Sequence, residues 1–162
     1  MSELMEIQSH KGIYTVEFDN ACIERFAEWD FDTTHFILDR KVAQLYPEQL
    51  QTVLDAPSVL LLDALETNKS LEKLPDYVEF LVDKRIRRNH KLVAIGGGIM
   101  QDITSFLAAT LLRGIEWIFF QPPYCLRQIV VLAQKAPSIA VARKIFLALL
   151  LLPKKYIYQP TF

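Results

Sequence analysis

Residues 92–114 read LVAIGGGIMQDITSFLAATLLRG, and the order of their parts limits what the chain can become. Residues 92–95 form a short apolar run suited to a buried parallel strand, and three glycines follow it. Beyond them Ile99, Ile103, Phe106, Leu107, Thr110 and Leu111 recur at helical spacing, with Gly114 placed where a helix stops. Gly96, Gly97 and Gly98 lack Cβ atoms, so a phosphate can approach their backbone N–H groups, and the helix beyond aims its positive end at the same place. By itself a glycine triplet is weak evidence, because a tight strand-to-helix turn needs glycine whether or not anything binds there.

The rest of the chain continues the alternation. Strands are expected at residues 13–18, 34–38, 58–63, 92–95 and 117–120. Between them, residues 42–56 carry apolar Val42, Leu45, Leu50, Val53 and Leu54 at helical spacing, interrupted by Pro47. Residues 71–88 do the same with Leu74, Val78, Leu81, Val82 and Ile86, behind Ser70 as an N-cap. Strands alternating with helices predict an α/β fold of the Rossmann-like kind, a mainly parallel sheet with helices on both faces. Ligands of such sheets bind beyond the carboxyl ends of the strands, where Asp39, Glu66 and the glycine turn are expected to gather.

At 162 residues and 51% hydrophobic content the chain can bury one core, so a single domain over residues 1–162 is expected. A net charge of −1 gives no electrostatic case for nucleic acid or for an acidic membrane surface. The one basic cluster, Lys84-Arg85-Ile86-Arg87-Arg88, stands at the end of the predicted 71–88 helix, where it complements the helix dipole. Two cysteines, Cys22 and Cys125, make no disulfide framework, and the first residues do not resemble a signal peptide; a reducing cytoplasm is the default expectation. His10, His35 and His90 are far apart in the chain and lack metal-ligand spacing, so they are read as surface or strand-end histidines.

The glycine triplet together with Asp102, Phe106, Ala108-Ala109 and Arg113-Gly114-Ile115 resembles the nicotinamide-binding domain of the 3-dehydroquinate synthase family, the sugar-phosphate cyclases. Two upstream segments extend the likeness. Phe36-Ile37-Leu38-Asp39 resembles the family strand whose terminal Asp holds the adenosine ribose, and Glu66-Thr67-Asn68-Lys69 resembles its Glu-x-x-Lys element. The resemblance implies NAD as cofactor, with Gly97 and Gly98 at its pyrophosphate and Asp39, Glu66, Lys69 and Asp102 as further cofactor-binding residues. Arg113 matches a family arginine that reaches the substrate phosphate of a neighbouring subunit, which implies a homodimer. The implied family reaction is NAD- and zinc-dependent cyclisation of a seven-carbon sugar acid phosphate with loss of phosphate, in the shikimate pathway. Each residue also has a plainer reading. Asp39 suits a helix cap, Glu66 and Lys69 a solvated ion pair, and Asp102 the first turn of its helix.

The chain departs from the family in places. Ser105 and Gln101 stand where glycines are frequent, and Lys41 stands where an Asn commonly follows the ribose-binding Asp, which leaves the sugar phosphate open. Beyond Phe119-Phe120 the family motifs Pro-Thr-Thr-Leu-Leu and Asp-Ser-x-x-Gly-x-Lys do not occur; residues 121–152 read QPPYCLRQIVVLAQKAPSIAVARKIFLALLLL instead, before a family-like PKKYIY resumes at Pro153. Codons read one base early across 121–152 can spell the family sequence, so this segment is read as translated in a shifted frame. An apolar helix over 140–152 fits its periodicity, though the run is too short to span a membrane. The family's zinc-binding half is not found in the chain, which is therefore expected to be inactive alone. Other readings are a sister cyclase of different substrate, a non-catalytic nucleotide-binding remnant, or a chain completed by a separately encoded zinc domain.

Overall fold

The computed structural model describes residues 3–9, 12–18, 29–121 and 155–158, and places seven strands in one sheet. In chain order these are β1 (Glu3–Ser9), β2 (Gly12–Phe18), β3 (Thr34–Asp39), β4 (Val59–Leu62), β5 (Lys91–Ile95), β6 (Glu116–Gln121) and β7 (Lys155–Tyr158). The described helices are α1 (Arg40–Leu45), α2 (Gln51–Leu54), α3 (Leu74–Asp83) and α4 (Gly98–Thr110), with single 3-10 turns at Glu66–Lys69 and Leu111–Arg113. Strand order is β1-β2-β7-β6-β5-β3-β4. Only the β1–β2 hairpin is antiparallel; β2–β7, β7–β6, β6–β5, β5–β3 and β3–β4 all run parallel.

Successive side chains of a strand leave by opposite faces, and the core divides accordingly. Ile37, Leu92, Ala94, Trp117 and Phe119 pack on one face with Leu74, Tyr77 and Leu81 of α3 and Met100, Ile103 and Leu107 of α4. Phe36, Leu38, Val93, Ile95, Ile118 and Phe120 pack on the other with Val42 and Ala43 of α1, Leu50, and Val53 of α2. Both faces are covered, as a parallel sheet requires, and the Rossmann-like expectation holds. No helix among the described residues is long and apolar enough to cross a membrane.

Element ends differ from the sequence expectation. Pro47 does interrupt the 42–56 stretch, leaving α1 and α2 as separate short helices. The 71–88 helix is shorter than expected: α3 starts at Leu74, has no side-chain cap, and holds Pro75 in its first turn. Ser70 instead closes the preceding 3-10 turn, and its carbonyl accepts from Lys73 N–H at 3.1 Å. The basic cluster lies past the helix, which carries no base in its last turn; Lys84 is the C-cap and Arg85 adopts a left-handed φ of 57°. The expected helix over 140–152, together with His10, Cys22 and Cys125, lies outside the described residues.

Candidate functional site

Two parallel neighbours, β3 and β5, end side by side, and their last residues start the site. Leu38 is paired with Ile95, so Asp39, the last residue of β3 and still paired with Leu62 of β4, lies beside Gly96 just past the end of β5. Asp39 is buried, and its Oδ1 accepts the N–H of Lys41 at 2.9 Å, capping α1. The plain capping role is therefore present at this position. Gly96 has φ of +152°, and a Cβ there would lie 2.6 Å from Met100 Cγ and 2.9 Å from Asp39 Cβ. Gly96, read from the sequence with Gly97 and Gly98 as part of the phosphate turn, is what lets the two strand ends approach.

The next two glycines face a different situation. Gly97 is the N-cap of α4 and supplies no side chain, so the first N–H groups of that helix have no side-chain partner. Gly98 is exposed, and a Cβ built on it meets nothing within 4 Å. The thirteen-residue α4 thus presents its positive end, without a side-chain cap, next to the buried carboxylate of Asp39. This cradle fits a pyrophosphate group, and a side chain at residue 98 would stand in it.

Lys69 closes one flank. Its Nζ lies 2.9 Å from Asp102 Oδ2 and 3.0 Å from Glu66 Oε1, joining the 3-10 turn after β4 to α4. Burial works against the ammonium, but hydrogen bonds and charge from Asp102 and Glu66 outweigh it and raise the Lys69 pKa above the ordinary lysine value. Glu66 and Lys69 are paired as expected, with Glu66 open to solvent at 75% exposure; Lys69, 18% exposed, is also held by Asp102 on its inner side. Asp102 is five residues into α4 and does not occupy the first turn; its work is to hold Lys69.

Arg113 is elsewhere. α4 runs about 20 Å from Gly98 to its far end, and Arg113 follows at that end, exposed, in a turn where Leu112, Arg113 and Gly114 all have positive φ (49°, 66° and 101°). It does not join the cluster of its own chain.

Of the histidines, His90 is half-buried at the entry to β5, in line with the strand-end reading, while His35 is not at the surface. His35 is 2% exposed inside β3, and its Nε2 lies 2.9 Å from Nδ1 of His90. The parallel register of β3 and β5 brings together two residues 55 positions apart, a contact no local pattern announces.

Residues 59–131 match the model of the 3-dehydroquinate synthase N-terminal family. Glu66, Lys69, Gly97, Gly98, Asp102 and Arg113 fall inside the matched stretch; Asp39 lies before it. The 3-dehydroquinate synthase of Staphylococcus aureus (strain Newman) is 28% identical over 109 residues, 65% of this chain and 31% of that protein. The enzyme of Staphylococcus carnosus (strain TM300) is 36% identical over 89 residues, 51% of this chain and 25% of that protein. The matched part of the chain therefore spans between a quarter and a third of the length of these relatives. In fold it is similar to 2-deoxy-scyllo-inosose synthase, solved with carbaglucose-6-phosphate, NAD+ and Co2+, at a TM-score of 0.69 and 17% identity over 98% of this chain and 46% of that one. It is also similar to 2-epi-5-epi-valiolone synthase from Streptomyces hygroscopicus subsp. jinggangensis 5008, solved with NAD+ and Zn2+, at 0.69 and 19% over 96% and 45%.

Proposed function

We propose that this chain is the dinucleotide-binding part of a sugar-phosphate cyclase and binds NAD at the carboxyl ends of β3 and β5. The observation that carries the reading is the open space over Gly98 at the uncapped start of α4, beside Asp39. Backbone N–H groups at Gly97 and Gly98 would hold the pyrophosphate, and Asp39 would accept from ribose hydroxyls with the carboxylate capacity that Lys41 N–H leaves over. Lys69, Glu66 and Asp102 would fix the 3-10 turn against α4 and place their charges along the cofactor. When bound, NAD supplies reversible oxidation of a substrate hydroxyl.

In the 3-dehydroquinate synthase family the complete reaction cyclises a seven-carbon sugar acid phosphate, and that substrate is our proposal for the enzyme from which this chain derives. Gln101 and Ser105, where the family often has glycine, keep a sister cyclase as a second reading. Arg113, remote from its own chain's cluster, suits contact with a neighbouring copy, and a homodimer follows. Purified alone, the chain is expected to release no phosphate from such a substrate.

The shifted frame over 121–152 remains part of this reading. Support comes from β7, which begins two residues after the family-like sequence resumes and pairs in parallel between β6 and β2. Coding DNA that fails to spell the threonine pair one base early after Phe120 would remove this part of the proposal.

Isothermal titration with NAD tests the binding site. Heat is expected for the unmodified chain, and Gly98→Val and Asp39→Ala should each weaken binding about tenfold or more, the effect of about 1.4 kcal/mol. A folded chain that gives no heat at millimolar NAD, or a Gly98→Val variant that binds as well as the parent, would reject the site.

A further inference from the structure

At the end of the sheet opposite the glycine turn, the entry ends of β3 and β5 are joined by a line of polar groups, buried at Ser58 and His35 and half-buried at His90. His35 Nδ1 is 2.7 Å from Ser58 Oγ and His35 Nε2 is 2.9 Å from His90 Nδ1, with the two imidazole centroids 5.2 Å apart and their planes inclined at 22°. Ser58 is 3% exposed and His35 2%, so no substrate reaches the serine and the line is not a nucleophile with its base. Its chemistry is a matter of counting protons. Each neutral imidazole has one donor and one acceptor nitrogen. One proton added to the pair still leaves an acceptor between the rings, but a second sets N–H against N–H at 2.9 Å.

The surroundings give that second proton no help. The loop after α3 carries Lys84, Arg85, Arg87 and Arg88, His90 N–H donates to the Arg87 carbonyl, and Lys91 follows with its ammonium over the Trp29 ring. Nearby carboxylates are Asp30 and Asp32 in the turn before β3, Asp55 at the end of α2, and Glu116 on β6 opposite Lys91. Asp30 is engaged by the Thr33 hydroxyl and the Asp32 N–H, and no carboxylate bonds to either imidazole among the described residues.

We infer that Ser58, His35 and His90 form a proton-sensitive latch, which holds the 84–90 loop onto β3 and β4 while the pair carries at most one proton and releases it when both rings are charged. Burial, and then the charge of His90, push His35 down from 6.5 to about 4. A lowered histidine value means that the unfolded chain takes protons first. The latch's stabilisation is complete above about 6.5 and is lost as pH falls toward about 4.

Three measurements on the full chain test the latch. Between pH 7.5 and 5 the melting midpoint should fall by about 5 °C or more, and in His35→Asn by less than half as much. In the unmodified protein, NMR titration should find the His35 ring neutral at pH 5. Amide exchange, corrected for intrinsic rates, should rise about tenfold in residues 86–92 at pH 4.5 and stay level in α4. The two measurements on the unmodified protein decide the matter should His35→Asn not fold. A His35 ring that titrates near 6.5, an equal fall of the midpoint in His35→Asn, or unchanged loop exchange would each overturn the inference.

Discussion

Gly96 and Gly98 lie two residues apart and answer to different constraints. At Gly96 the positive φ and the contacts at 2.6 Å and 2.9 Å leave no room for a methyl group without moving Met100 or the Asp39 backbone. Gly96→Ala is expected to destabilise the fold by about 2–3 kcal/mol, through strain at φ > 0 and overpacking together. Gly98→Ala meets open space at the first position of α4, so its melting curve should match the parent's within about 0.5 kcal/mol. Urea titration of both variants checks the contrast, and equal losses would show that the two glycines serve the fold alike. The glycine triplet was legible in the sequence because Cβ-free residues after an apolar run have few other uses. Which glycine serves packing and which faces solvent was not, since that depends on Met100 and Asp39 reaching the turn from other elements. His35 illustrates the same limit: its partners Ser58 and His90 come from positions 23 and 55 residues away.

At the scale of elements, strands read well because their apolar runs are buried on both faces and need no alternation to be noticed. Helix ends read less well. Ser70 is a good N-cap by residue type, yet Pro75 and the turn at Ser70–Lys73 shift the start of α3 to Leu74. Its other end is a Schellman motif: Arg85 N–H donates to Val82 O at 2.8 Å, and Ile86 N–H donates to Leu81 O at 3.1 Å. Ile86 packs beneath, against the cluster that contains Leu81. The position that glycine usually fills is held by Arg85 at φ 57°, exposed, with no packed side chain to offset the backbone cost. Arg85→Gly should therefore raise stability by about 0.5–1 kcal/mol, since the left-handed conformation costs a residue with a Cβ about 1 kcal/mol or more while glycine's added chain entropy returns part of it. A melting midpoint that drops in Arg85→Gly would show that the arginine makes up for its backbone by some other contact.

Across the whole molecule, the parallel order of β3, β4, β5 and β6 follows from alternating strands and helices, and β2 matches the strand expected at 13–18, but β1 and β7 do not follow from that alternation. β1 was not expected from the sequence at all, and PKKYIY carried a family likeness without a strand assignment. The reason is topological, because β7 comes from the far end of the chain to sit between β2 and β6, a pairing set by what lies next to it and by no periodicity of its own. This order has a consequence. Among the described residues, β2 is hydrogen-bonded to the rest of the sheet through β7 alone. Deleting residues 153–162 should leave the β1–β2 hairpin without a parallel neighbour, and a lone two-stranded hairpin is marginal in water. β3, β4, β5 and β6 keep their mutual ladders and the helices on both faces. Hydrogen exchange on the shortened chain is expected to show lost protection over residues 3–18 with β3 and β5 still protected, as separate cooperative units would behave. Protection retained in β2 would mean that the hairpin is held by contacts other than β7. Loss in β3 as well would mean that the seven strands melt as one unit, with β7 as much a part of the core as the strands beside the glycine turn.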